Sequence, residues 1–138
     1  MDIEQTKAEI KKEEGFRMET YKCTEGHLTG GYGHKMLDGE TPPTDMAGWT
    51  KLFERDFARA MSGAEELLMI CPNVDDTARH IVVEMCYQMG SYGVSKFHGM
   101  LSALQESDYV TASKEMLDSR WAKQTPKRAM CMAERMRN

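Results

Sequence analysis

The chain has 138 residues, a formal net charge of −4 and 41% hydrophobic residues. This length fits one domain with its own core, and the composition argues against a disordered or fibrous chain. The longest apolar run, Leu67 to Cys71, is far shorter than the ~20 residues of a membrane span. The charged N-terminus lacks an apolar signal-peptide stretch, so we expect the protein to be made in the cytoplasm. The negative charge argues against a nucleic-acid partner, although residues 111–138 carry seven basic and three acidic side chains, a net charge of +4.

The first predicted element is a short helix over residues 2–14, with Ile3 and Ile10 on its apolar face and Gly15 as its stop. Glu14 is then the last helical residue. Because the negative end of the helix dipole and any burial disfavour a charged carboxylate, we expect its pKa to be raised, which suits a general acid. Residues 16–34 alternate apolar and polar positions among threonines and glycines, and this pattern predicts a small antiparallel sheet.

The rest of the chain is predicted to be helical after a loop that contains Pro42 and Pro43. Thr44 or Asp45 would cap a long helix that ends at Pro72. The further predicted helices run from Asp75 or Asp76 to Met89, which we expect to be the most buried, then from Val94 to Leu104, from Tyr109 to Trp121, and onward from Thr125-Pro126. The fold class is therefore α+β, with an N-terminal sheet lobe of about residues 12–45 and a helical lobe of about residues 46–138 on which the first helix packs.

The cysteines and methionines give little evidence of a disulfide framework or of a cofactor site. Cysteines occur at four separated positions without a Cys-x-x-Cys pair, so we expect free thiols. Cys71, Cys86 and Cys131 are interpreted as packing residues, and most of the thirteen methionines as core filler. Cys23 and two histidines, His27 and His34, are zinc-ligand types, but their scatter over a glycine-rich hairpin is a weak signal, and no metal site is predicted.

The most informative residues of the N-terminal part are Glu14, Cys23 and Thr29. Glycosidic-bond cleavage needs a protonated carboxylic acid on one side of the bond and a base or nucleophile opposite it. Glu14 supplies the acid, and Cys23 with Thr29 forms a polar pair able to hold or activate a water. A phosphate-binding loop at Gly30–Gly33 is excluded, since the segment lacks the required glycine spacing and does not open a helix.

These residues occur in segments that closely resemble the phage-type lysozymes, the muramidase endolysins. The segments are Glu14-Gly15, residues 21–26 and residues 28–34. In that family a glutamate is followed after eight residues by aspartate or cysteine, and after five more by threonine, which is the spacing of Glu14, Cys23 and Thr29. The similarity continues through Leu52, Phe53 and Asp56, through residues 88–90, and through residues 119–121 and 124–126. It implies one lysozyme-like, two-lobed domain over residues 1–138.

The resemblance implies hydrolysis of the β-1,4 bond between N-acetylmuramic acid and N-acetylglucosamine in peptidoglycan, with cell lysis for phage release as its purpose. Glu14 would be the proton donor, Cys23 the second catalytic residue and Thr29 the residue that positions the water. No cofactor is implied, since acid catalysis and a positioned water suffice. The expected partners are bacterial peptidoglycan and a holin-like pore, through which a monomer without membrane insertion would pass from the host cytoplasm to the wall in the periplasm.

Further roles are implied by position in the family pattern. Lys35, Tyr87 and Gln88 are candidate sugar contacts, and His34 with Asp56 is a candidate structural ion pair. Cys23 leaves the mechanism open, because the thiol could orient water, act as a base in its minor thiolate form, or attack the anomeric carbon. The alternatives to a hydrolase for phage release are an inactive peptidoglycan-binding module, a lytic transglycosylase and a delivered antibacterial effector of the same chemistry.

Overall fold

The computed structural model describes residues 1–24 and 26–138. Glu25, which belongs to the segment 21–26 that carries the family resemblance, lies outside the described residues. The chain divides into two units, which we call the sheet unit (residues 2–59) and the helical unit (Met1 and residues 60–138). The helices and strands agree with an α+β lysozyme-like fold. None of the helices in the described ranges is long and apolar enough to cross a membrane.

The sheet unit begins with helix α1 (Ile3–Glu14), capped by the Asp2 side chain, which accepts the Gln5 N–H at 3.0 Å. The predicted apolar face needs a correction: Ile10 is fully buried, but its buried neighbour is Thr6, while Ile3 is 45% exposed. The Thr6 hydroxyl tolerates burial because it donates to the Asp2 carbonyl oxygen at 2.9 Å.

The predicted antiparallel sheet is confirmed. It has the order β1 (Arg17–Lys22), β2 (Leu28–Gly31) and β3 (His34–Lys35). The glycines of β2 have a packing reason, since a Cβ atom at Gly31 would meet the Trp49 ring at 2.5 Å. Trp49, which is fully buried, also donates its indole N–H to the Met18 carbonyl oxygen at 2.9 Å. The ring therefore fixes the sheet against the helix that follows.

That helix, α2 (Met46–Leu67), begins after Asp45, whose side chain accepts the Gly48 N–H at 2.8 Å. The division between the two units falls inside α2. Within the sheet unit, Lys7 of α1 binds Glu54 of α2 at 2.8 Å. The aliphatic and aromatic residues buried in this unit are Ile10, Trp49, Leu52, Phe53 and Phe57.

The helical unit continues α2 through a 3₁₀ turn (Leu68–Ile70) and contains α3 (Asp76–Ser95), α4 (His98–Gln105), α5 (Tyr109–Leu117), α6 (Arg120–Gln124) and α7 (Pro126–Arg137). Helix α3 begins where it was predicted, and Asp75 caps it by accepting the Ala78 N–H at 2.8 Å. Helix α5 packs against both α4 and α7. The largest fully buried side chains of the unit are Ile81, Val82, Glu84, Met85, Val94, Met100, Leu104, Met116 and Met132, wholly or almost wholly without exposed surface.

Several predicted helices have different bounds in the structure. The long helix predicted to end at Pro72 ends at Leu67, where the 3₁₀ turn over Leu68–Ile70 begins. The helix expected from Val94 begins only at His98, because α3 continues to Ser95 through a kink at Gly90, where φ is 81°. The helix expected over 109–121 is two helices, because the Ser119 hydroxyl accepts the Ala122 N–H at 3.1 Å and starts α6.

Candidate active site

Glu14 is the last residue of α1 and is half-buried. The helix ends there because Gly15 takes a positive φ of 70°, and the Gly15 N–H closes the last turn on the Lys11 carbonyl oxygen at 2.9 Å. The Glu14 carboxyl is therefore carried by the rigid end of a helix.

Gly33 lies in the turn between β2 and β3, directly against Glu14. A Cβ atom at Gly33 would stand 2.5 Å from Glu14 Oε1 and 3.0 Å from its carboxyl carbon, so only glycine leaves room for the carboxyl in this position. The φ of Gly33 is +73°, a conformation that glycine adopts without strain. Helix α1 and the β2–β3 turn thus form two sides of the Glu14 environment.

Cys23 and Thr29 both form a hydrogen bond with the backbone carbonyl oxygen of His27. The His27 carbonyl oxygen accepts the Cys23 N–H at 2.8 Å and the Thr29 hydroxyl at 3.1 Å. Thr29 is 4% exposed on β2, and Cys23 is half-buried directly after β1. Both residues and Glu14 belong to the sheet unit. Their catalytic roles stay predictions.

His34 contacts Asp56 and a second carboxylate, Glu40, that the sequence did not reveal. His34 Nδ1 lies 2.6 Å from Asp56 Oδ2, and Nε2 lies 3.0 and 3.1 Å from the two Glu40 oxygens. The hydrogen bond to Asp56 raises the pKa of His34, burial opposes it, and Glu40 raises it further. The ring therefore carries its positive charge to a higher pH than a free histidine.

The candidate sugar contacts are divided between the two units. Lys35 is exposed on β3 and pairs with Thr29 in the sheet register. Tyr87 and Gln88 are half-buried on α3 in the helical unit, where Gln88 Oε1 accepts the Trp121 indole N–H at 2.9 Å. The Gln88 amide thus also has a packing partner, and sugar binding by these three residues stays a prediction.

A second group missed from the sequence is the buried Glu84 of α3. Its Oε2 lies 3.0 Å from His80 Nε2 and 2.9 Å from Arg135 Nη2 of α7. Burial acts to raise the pKa of Glu84, but the hydrogen bonds from His80 and Arg135 outweigh it and hold that pKa below its usual range. The i, i+4 spacing of His80 and Glu84 on an otherwise apolar helix was the available signal.

Of the three remaining cysteines, two are buried packing residues and one is exposed. Burial raises the pKa of the Cys86 thiol to about 12 and that of Cys71 to a lesser extent. Cys131 is exposed on α7, so its interpretation as a packing residue is wrong. Among residues 1–24 and 26–138, no group of three or more His, Cys, Asp or Glu side chains has an arrangement that could hold a metal ion.

Comparison with known proteins agrees with this architecture. A family model described as phage lysozyme matches residues 11–138. Two relatives from Dictyostelium discoideum, "Probable T4-type lysozyme 2" and "Probable T4-type lysozyme 1", are 32% and 30% identical, each over 87% of this chain and 86% of their own length. The "Pre-baseplate central spike protein Gp5" of Enterobacteria phage T4 is 31% identical over 87% of this chain and 25% of its own length. The chain therefore belongs to the phage lysozyme family.

Proposed function

We propose that the protein is a muramidase-type peptidoglycan hydrolase, which cleaves the β-1,4 bond between N-acetylmuramic acid and N-acetylglucosamine. The observation that carries the proposal is the Glu14 carboxyl, held at the end of α1 against Gly33 in the same unit as Thr29 and Cys23. The family and the names of the lysozyme relatives support the substrate class.

In this proposal Glu14 protonates the leaving glycosidic oxygen, and a water attacks the anomeric carbon. The water gives up one proton, to the Cys23 side chain when it is ionised and otherwise to solvent, and Glu14 regains its proton from solvent. The Thr29 hydroxyl donates its hydrogen to the His27 carbonyl, which leaves its oxygen lone pairs to accept a hydrogen bond from that water. Cys23, whose backbone N–H binds the same carbonyl, adds a second polar side chain to this segment. Cys23 orients the water as a neutral thiol or takes its proton as a thiolate.

The biological setting belongs to the same proposal. A monomeric enzyme of this activity would lyse a bacterial host for phage release, and a holin-like pore would pass it from the cytoplasm to the wall. The support is the family itself, together with a relative that is a phage T4 protein. Expression in a bacterium with and without a co-expressed pore tests the setting. Lysis that needs the pore supports it, and lysis without the pore contradicts it.

The activity is tested on purified peptidoglycan by counting new reducing ends and by mass spectrometry of the released muropeptides. A hydrolase adds one water for each bond cleaved and leaves a reducing N-acetylmuramic acid. Release of the anhydro product instead identifies a lytic transglycosylase. Binding to the polymer without any release identifies a binding module and contradicts the proposal.

A further inference from the structure

Glu40 lies in the loop between β3 and α2 and bonds to two parts of the sheet unit. It accepts the Leu37 N–H at 2.9 Å, and its own N–H donates to the Leu37 carbonyl oxygen at 3.0 Å. Both of its carboxylate oxygens also face His34 Nε2. The carboxylate therefore closes the loop back onto β3.

The His34 ring consequently has a carboxylate on each nitrogen. A neutral imidazole has only one N–H and presents a lone pair at the other nitrogen, so it donates to one of the two carboxylates and repels the other. A protonated ring donates to both. Because His34 is only 8% exposed, water does not easily replace the lost bond, and the two-sided contact depends on the positive charge.

The charged groups around this ring come from two directions. Asp56 faces Nδ1 from α2, Glu40 faces Nε2 from the loop, and Arg55 of α2 acts on the Glu40 carboxylate. Burial acts to raise the pKa of Glu40, but the Leu37 N–H, His34 and Arg55 outweigh it and hold that pKa below its usual range. Glu40 therefore stays ionised wherever His34 titrates.

The residues on either side of His34 contact two predicted catalytic residues. Gly33, immediately before it, lies against the Glu14 carboxyl, and Lys35, immediately after it, pairs with Thr29. His34 itself pairs with Gly30. Contacts that hold the His34 ring therefore also hold residues 33–35, which lie next to Glu14 and Thr29.

We propose that Glu40 is a positioning residue of the candidate active site: together with Asp56 it holds the charged His34 ring and so fixes the segment from Gly33 to Lys35. The inference rests on the proposed function for its effect on activity. A histidine with a raised folded-state pKa stabilises the fold fully below its unfolded pKa of ~6.5, and this stabilisation is lost as pH rises through the folded pKa. We therefore expect the arrangement of residues 33–35 to be lost as pH rises through the folded-state pKa of His34.

The test compares Glu40→Gln with Asp38→Asn. Glutamine keeps the size and the acceptor oxygen but removes the charge, and Asp38→Asn removes the same charge from an exposed residue of the same loop. We expect the His34 pKa, followed by NMR, to fall in Glu40→Gln, and the alkaline limb of the activity profile to move to lower pH by the same amount. Asp38→Asn should leave both midpoints in place.

Three results would overturn the proposal. The first is an unchanged His34 midpoint in Glu40→Gln. The second is an alkaline limb that does not move, as expected if the Cys23 thiol sets it. The third is an equal loss of activity at every pH, which indicates a merely structural role.

A separate NMR experiment tests the positioning role of Glu40 independently of the proposed function. In the wild-type protein, the backbone amide resonances of Gly33, Lys35 and Thr29 should titrate with the His34 midpoint, and in Glu40→Gln they should follow it downward. If the wild-type protein fails to cleave peptidoglycan, the proposed function is wrong while this experiment still decides whether Glu40 positions the segment. Amide resonances that ignore the His34 titration would contradict the positioning role.

Discussion

Cys23 is the single residue on which the chemistry depends most. Its side chain is half-buried, and its backbone N–H binds the same His27 carbonyl oxygen as the Thr29 hydroxyl. An aspartate at position 23 supplies a carboxylate that accepts a hydrogen bond from the water, whereas an alanine removes the polar group. In the proposed mechanism, the side chain at this position would therefore decide how the attacking water is oriented or activated.

We predict that Cys23→Asp retains activity within about tenfold and that Cys23→Ala loses about 100-fold in the initial rate of reducing-end release. The control is Cys131→Ala, which removes an exposed thiol from α7 and should keep wild-type activity. Full activity in Cys23→Ala would exclude a catalytic role for the thiol.

At the scale of elements, the site depends on the contact between the end of α1 and the β2–β3 turn. Gly33→Ala would force the Glu14 carboxyl to move, and a side chain at its positive φ of 73° also costs about 1–2 kcal/mol of folding free energy. Since a displacement of about 1 Å costs on the order of 100-fold in rate, we predict a loss of activity well beyond the loss of stability.

The matched control is Gly39→Ala. Gly39 has a φ of 78°, so the same strain applies, but a Cβ atom there meets nothing within 4 Å. Assayed at about pH 6, where the His34 ring is charged, Gly39→Ala should lower the urea midpoint similarly and keep its specific activity. Equal activity losses in the two variants would show that strain, rather than displacement of Glu14, causes the effect.

Some elements could be predicted from sequence because their signals are local. The start of α3 at Asp76, the Pro126 start of α7 and the glycine stop of α1 each depend on one or two residues, and all three are confirmed. The break between α5 and α6 has a local signal, Ser119, but it competes with a continuous apolar pattern. The Thr125 hydroxyl does not cap α7, although a threonine before a helix is a typical cap, because it donates to the Trp121 carbonyl oxygen of α6.

The candidate site likewise combines features that could be predicted from sequence with features that appear only in the structure. The spacing of Glu14, Cys23 and Thr29 could be recognised in the sequence, because the three residues lie within one short segment. The second carboxylate on His34 could not be predicted, because Glu40 reaches the ring only through the turn that it makes with Leu37. The reason for Gly33 also appears only in three dimensions, where the Glu14 carboxyl occupies the space of a side chain.

For the whole molecule, the uneven charge bears on how the protein approaches an anionic wall. The net charge is −8 over residues 1–110 and +4 over residues 111–138. Several basic side chains of α6 and α7 are exposed, among them Lys123 and Lys127. We expect this basic segment to provide the attraction to the polymer, an effect that salt weakens because the Debye length falls to ~8 Å at 0.15 M.

We predict that the double variant Lys123→Glu with Lys127→Glu clears intact walls about tenfold more slowly at low salt and cleaves small soluble glycan fragments normally. The control, Lys51→Glu with Arg59→Glu, changes the net charge equally at exposed positions of α2. Equal slowing in both double variants would mean that net charge alone matters.

The most direct test of the account compares Glu14→Gln with Glu13→Gln on purified peptidoglycan. The two variants make the same carboxyl-to-amide change at neighbouring residues of α1, and Glu13 is exposed. Because a general acid contributes about 10²–10⁴-fold, Glu14→Gln should lose at least 100-fold in the rate of reducing-end release, while Glu13→Gln retains the wild-type rate. Wild-type activity in folded Glu14→Gln would contradict the assignment of Glu14 as the catalytic acid.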